Sequence, residues 1–194
     1  MSDNSFITIV SGLPRSGTSM MMSMLEAGGV PVLADGIRTA DEDNPKGYYE
    51  FERVKKIKED KGWIPDAKGK VVKMISQLLL DLPESAAEYK VIFMRRNILE
   101  ILASQKQMMI RRGTYKEGGP SDDEMSKLLL QHVDVVLKKM GLREDVDLIE
   151  VDYNALLTGD QTCIPRINQL LGGTLNTGAM SAVVDKNLYR QRKD

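Results

Sequence analysis

Residues 6–19 read Phe6-Ile7-Thr8-Ile9-Val10-Ser11-Gly12-Leu13-Pro14-Arg15-Ser16-Gly17-Thr18-Ser19. The first five are apolar or β-branched, and Gly12, Pro14 and Gly17 then break the run, so the spacing predicts a buried strand over 6–10 followed by a turn. From Thr18 onward no breaker intervenes until Gly28-Gly29, which predicts a helix over 18–27 closed by glycine. Strand, glycine loop and helix open a βα unit.

Outward from that unit, residues 35–70 are polar and mixed in charge, with a turn at Asn44-Pro45-Lys46-Gly47. They read as a loop or lid, with one helix across 49–60. Short apolar runs at 71–75 and 91–94, separated by a Leu-rich helical turn and Pro83, predict two interior strands of a parallel sheet. Residues 97–112 carry Ile98, Leu99, Ile101, Leu102, Met108 and Met109 at amphipathic spacing and predict a helix. Ser121-Asp122-Asp123-Glu124 spells a capping box ahead of a further helix to 140. A fourth strand is expected at 148–151 and a helix over 163–171 before Gly172-Gly173. The last twenty residues read as a tail.

The 194 residues are 42 % hydrophobic, enough for one domain spanning 1–194. The 27 Lys plus Arg nearly cancel the 28 Asp plus Glu, so no global field points to nucleic acid or a membrane surface, and any anion site must be local. One cysteine, Cys163, and one histidine, His132, offer neither an internal disulfide nor a metal cluster. A reducing cytoplasm fits this usage. The polar start carries no secretory signal, and no apolar stretch reaches the roughly 18 residues of a membrane span. Among the 12 methionines, Met20, Met21, Met22 and Met24 crowd one segment and read as flexible core filler.

Gly12, Gly17, Thr18 and Ser19 form a G-x-x-x-x-G-T-S pattern between the predicted strand and helix. Glycines let the backbone curl so that several N–H groups point inward, and the helix N-terminus adds partial positive charge, so the loop suits a phosphate. The fold expected is therefore α/β: a three-layer P-loop fold with a central parallel β-sheet flanked by helices. Thr18 stands where a nucleoside triphosphatase loop carries lysine, which disfavours ATP hydrolysis, and the loop cation is Arg15.

The run Pro14-Arg15-Ser16-Gly17-Thr18-Ser19 resembles the 5′-phosphosulfate loop of sulfotransferases that use 3′-phosphoadenosine 5′-phosphosulfate (PAPS). Arg96 followed eight residues later by Ser104 is similar to that family's 3′-phosphate element, and Arg suits it because its fork matches phosphate oxygens. Residues 150–157 and the helix ending Leu170-Leu171-Gly172 resemble two further segments of the family. The resemblance implies PAPS as co-substrate with no metal, a hydroxyl or amine acceptor of unknown identity, and Arg15 neutralising charge on the leaving phosphate. Lys73 resembles the strand lysine of the cytosolic branch, which implies a catalytic part in supporting transfer; read alone, it is an edge-of-strand surface residue.

Departures from the family pattern are specific. Ile75 stands where the cytosolic branch has its histidine base, and His132 reads as structural, so the base is sought among acids. Asp35, Asp41, Glu42 and Glu50 are the candidates. Glu50 is preferred because residues 44–50 resemble a segment of bacterial members. Met20 occupies the place of an adenine-stacking aromatic, leaving adenine recognition unassigned, and the basic end, Arg190, Arg192 and Lys193, lacks the family's spelling. The chain is short for that family. Its acceptor pocket is either reduced or completed by a partner subunit, for which a homodimer is the simplest form. A P-loop kinase of nucleotides or small molecules, and a catalytically inactive nucleotide-binding domain, are the competing readings.

Overall fold

In the computed structural model, which describes residues 5–37 and 49–184, β1 (Ile7–Gly12) runs into α1 (Thr18–Ala27). Then come 3-10 turns at Glu52–Lys56 and Pro65–Ala67, β2 (Val71–Lys73), α2 (Ser76–Leu79), β3 (Tyr89–Arg95) and α3 (Ile98–Arg111). The chain continues through α4 (Asp122–Gly141), β4 (Val146–Asp152), α5 (Tyr153–Thr158), α6 (Cys163–Leu170) and α7 (Thr177–Ala182). All four strands are parallel in the order β2-β1-β3-β4. Every residue of β1 is buried, as expected of a central parallel strand with helices on both faces.

Alternation along the strands sorts the core into two layers. Ile7, Ile9, Val91 and Phe93 pack with Ile101 of α3 and with Val133, Val136 and Met140 of α4. Val10, Ile92, Met94 and Val151 pack on the other side with the methionines of α1 and with α5, α6 and α7. Met21, Met22 and Met24 are fully buried, the filler their crowding suggested. The result is a sheet flanked by helices on both faces, the α/β architecture expected. No helix among the described residues is long and apolar enough to cross a membrane.

Three expectations differ from what forms. The stretch 49–60 makes only a 3-10 turn, because its buried residues Val54 and Ile57 lie three apart, the spacing at which 3-10 side chains eclipse. Much of the supposed lid is core: Trp63, completely buried and edge-on to Phe51 at 6.0 Å, fills the first layer together with Ile64 and Ala67. The expected tail contains α7, capped by Asn176 and anchored by buried Met180 against Gly28. Asp41, Glu42, the turn at 44–47 and the basic residues Arg190, Arg192 and Lys193 lie outside the described residues.

Candidate functional site

Strand order reverses between β1 and β3, because the chain steps from β1 outward to β2 and then back past β1. Ligands of open α/β sheets bind outside the carboxyl ends of strands at such a switch point. Gly12 is paired with Met94 and Val10 with Lys73, so the glycine loop, the Arg95-Arg96 pair and Lys73 leave the sheet together at the carboxyl ends of its strands.

The loop's curl needs glycine at two places for reasons of contact as well as dihedral. Gly12 has φ +148°, and a Cβ there would lie 2.7 Å from the carbonyl oxygen of Met94. Gly17 has φ +98°, and a Cβ there would lie 2.2 Å from Cδ2 of Tyr153. Arg15 adopts φ +77° without being glycine, a conformation that costs about 1–2 kcal/mol and persists only when neighbours impose it. Those neighbours come from α3 and its lead-in. Arg96 Nη1 donates to the Arg15 carbonyl at 2.9 Å, Arg15 Nε donates to Ser104 Oγ at 2.9 Å, and Gln105 Nε2 donates to the Pro14 carbonyl at 3.1 Å. Ser16 N closes the turn on Leu13 O at 3.1 Å, and Gly17 caps α1 with no side-chain acceptor. The first-turn amides of α1 therefore stand beside the curled loop, where an anion would meet them.

Arg96 is the hinge of this arrangement. Its Nε is bonded to Glu100 Oε2 at 3.0 Å, one helical turn along α3, and the two side chains are only 8 % and 2 % exposed. Asn154 Nδ2 donates to the same Glu100 oxygen at 3.0 Å, while Asn154 Oδ1 accepts from Asn97 N at 2.9 Å. The guanidinium lies 4.9 Å from the centre of the Tyr153 ring, whose edge faces Gly17. Burial, partly offset by Arg96, holds the Tyr153 phenol above its ordinary pKa. The neighbouring Arg95 turns instead to Glu150 on β4, at 2.8 Å. Arg15 and Arg96, expected at one ligand, are thus in contact through the loop backbone.

On the other flank, Lys73 Nζ donates to Ser19 Oγ at 3.2 Å, bringing an ammonium to the first turn of α1. Ser23 Oγ lies 3.2 Å from the Ser19 carbonyl and 3.0 Å from Tyr49 OH, and Tyr49 OH donates to Glu26 Oε2 at 2.7 Å. Burial and the Glu26 carboxylate raise the Tyr49 pKa. These bonds hold the strand-like lead-in that carries Glu50 against α1. Glu50 itself accepts from Lys55 Nζ at 3.4 Å, and its carbonyl accepts from Asp35 N. The Asp35 carboxylate takes the amides of Ile37 and Glu52, a turn-forming use. Ile75 is exposed just past Lys73. His132 bonds buried Ser76 at 2.9 Å and joins α4 to α2.

Glu100 and Gln105 were not singled out from the sequence, and Tyr153 and Asn154 were read only as part of the family-like segment 150–157, with no place at the site. One signal existed for Glu100: a carboxylate four residues after Arg96, the spacing at which side chains on a helix pair. Chemically, the cluster presents a curled amide loop, one ammonium and two anchored guanidinium groups, which suits a ligand with separated phosphate or sulfate groups.

No protein-family model matches the sequence, and no curated protein matches it as a relative. Several solved structures resemble it, among them two sulfotransferase domains. The sulfotransferase domain from the curacin biosynthetic pathway aligns with a TM-score of 0.51 at 13 % identity, covering 88 % of this chain and 75 % of that one. The sulfotransferase domain from the Synechococcus PCC 7002 olefin synthase aligns with a TM-score of 0.50 at 12 % identity, covering 100 % of this chain and 85 % of that one. Identities this low speak for architecture: the chain has the fold of sulfotransferase domains.

Proposed function

We propose that the protein transfers a sulfuryl group from PAPS to a hydroxyl or amine acceptor. The observation that carries this reading is the convergence of Arg15, Ser104, Arg96 and Lys73 on one glycine loop at the switch point, in a sulfotransferase-domain fold. On this reading, Pro14, Arg15, Ser16, Gly17, Thr18 and Ser19 form the cradle of the 5′-phosphosulfate. Arg96 and Ser104 serve the 3′-phosphate, with Arg96 also holding the loop carbonyl. The acceptor lone pair attacks sulfur, and the bond from sulfur to the bridging oxygen breaks with its electron pair staying on that oxygen. Loop amides, Arg15 and Lys73 stabilise the charge that develops there. The acceptor proton passes to Glu50.

Lys73 also weighs against the kinase reading. Ser19 occupies the position whose hydroxyl holds Mg²⁺ in a P-loop kinase, and here an ammonium lies 3.2 Å from that oxygen. The ligand series that tests the proposal is a thermal-shift comparison of adenosine 3′,5′-bisphosphate, PAPS, ADP, and ATP with Mg²⁺. At about 100 times its dissociation constant a ligand stabilises by about 2.7 kcal/mol, or roughly 5–10 °C in a domain of this size. That shift is expected for the two ligands bearing a 3′-phosphate and a smaller one for ADP. A shift with ATP and Mg²⁺ equal to that with the bisphosphate would defeat the proposal.

Replacing Glu50 by glutamine separates catalysis from binding. Loss of a general base lowers turnover by about 10²–10⁴, whereas adenosine 3′,5′-bisphosphate affinity should be unchanged. Bisphosphate binding without turnover in the unaltered protein, across a panel of acceptors, would favour the inactive nucleotide-binding domain.

A further inference from the structure

The inner side of α4 is accounted for: Ser126, Val133, Val136 and Met140 are buried beneath it. Its outer side is not. Leu128, Val135 and Leu142 are 56 %, 48 % and 76 % exposed and follow one another at intervals of seven residues. At about 100° per residue, seven residues bring a side chain to within about 20° of its predecessor, so Leu128 and Val135 form an apolar line along the helix that its C-cap residue Leu142 continues. Single exposed leucines are ordinary on protein surfaces, but branched aliphatics recurring every seven residues supply one of the two apolar positions per heptad along which helices pair. No described segment of the chain covers this line.

Charge selects the occupant. The exposed first turn of α4 holds Asp122, Asp123 and Glu124, and the exposed last turn holds Lys138 and Lys139. A second α4 laid parallel would set acid over acid and base over base. Laid antiparallel about a two-fold axis near Gln131 and His132, it sets the acidic turn of each helix beside the basic turn of the other and opposes their dipoles favourably. The same axis brings Leu128 near Val135 of the partner subunit and returns the contact by symmetry, as an isologous interface requires. We propose that α4 is a homodimerisation surface, pairing antiparallel with α4 of a second copy of this chain. The proposal is independent of the reaction assigned above.

Sedimentation velocity over roughly 1–200 μM, the range suited to a small non-obligate interface, tests it on the full chain. The expected result is a species of twice the monomer mass that gains weight with concentration and is lost in Val135→Glu and in Leu128→Gln. Neither variant should change the melting temperature or adenosine 3′,5′-bisphosphate binding, since both side chains point away from the core. Lys138→Glu/Lys139→Glu decides the orientation: antiparallel pairing then sets acid against acid at both ends and the dimer weakens at least tenfold, while parallel pairing is unaffected. A monomer at all concentrations would overturn the proposal, as would dimerisation untouched by the three variants. Capture of a different protein by a chain that stays monomeric would overturn it too.

Discussion

Replacing Gly17 by alanine is expected to abolish nucleotide binding and to lower the melting temperature by about 5–15 °C. Two costs add at this position. The dihedral, φ +98°, costs an L-residue about 1–2 kcal/mol. The new Cβ would stand 2.2 Å from Tyr153 Cδ2 and 2.7 Å from Cε2. Tyr153 is buried under Arg96, so the ring can yield only by moving the guanidinium that holds the Arg15 carbonyl. Overpacking of this kind costs about 1–3 kcal/mol, and in a domain of this size each kcal/mol moves the midpoint by about 2–4 °C. The internal control is Gly29, which has the same φ of +98° but nothing within 4 Å of an added Cβ. Gly29→Ala should show the dihedral cost alone and bind normally. If melting curves and bisphosphate titrations find the two variants equivalent, the close approach of Tyr153 is not what demands glycine in the loop.

Replacing Glu100 by alanine should be nearly as damaging, although no phosphate is assigned to Glu100. The variant removes the carboxylate partner of a guanidinium that is 8 % exposed and an acceptor of Asn154 Nδ2. Breaking a buried pair by removing one partner costs about 3–5 kcal/mol, because the remaining charge has lost both water and counter-ion. A fall in melting temperature of about 10 °C is therefore expected. Bisphosphate affinity should fall at least tenfold as Arg96 lets go of the loop. The double variant Arg96→Met/Glu100→Leu separates the two effects, since an apolar pair of similar volume tends to restore stability. It should melt near the parent temperature and still bind poorly. Normal affinity in the double variant would show that the Arg96–Glu100 pair supports the core and not the loop.

The first βα unit was legible because its signals are adjacent. Strand, breakers and helix start lie within fourteen residues, and the helix forms at Thr18–Ala27, the span that Gly28-Gly29 predicted. The capping box of α4 and the amphipathic period of α3 were equally local. By contrast, a polar average over 35–70 concealed Trp63 and its neighbours, whose burial depends on a sheet assembled from β1, β2 and β3. α7 is held by Met180 against Gly28, a contact with no counterpart in the local sequence.

The amino-acid order alone determined that a glycine-rich loop joins a buried strand to a helix, and it marked Arg15, Arg96 and Ser104 as residues of interest. Tertiary structure alone decided what those side chains do: Arg15 reaches Ser104 across 89 residues, Arg96 grips the Arg15 carbonyl across 81, and Lys73 meets Ser19 across 54. The physical reason is range. Turns, caps and periodic faces are written in contacts a few residues apart, whereas a buried guanidinium takes its partners from whichever strands the hydrophobic core has brought alongside.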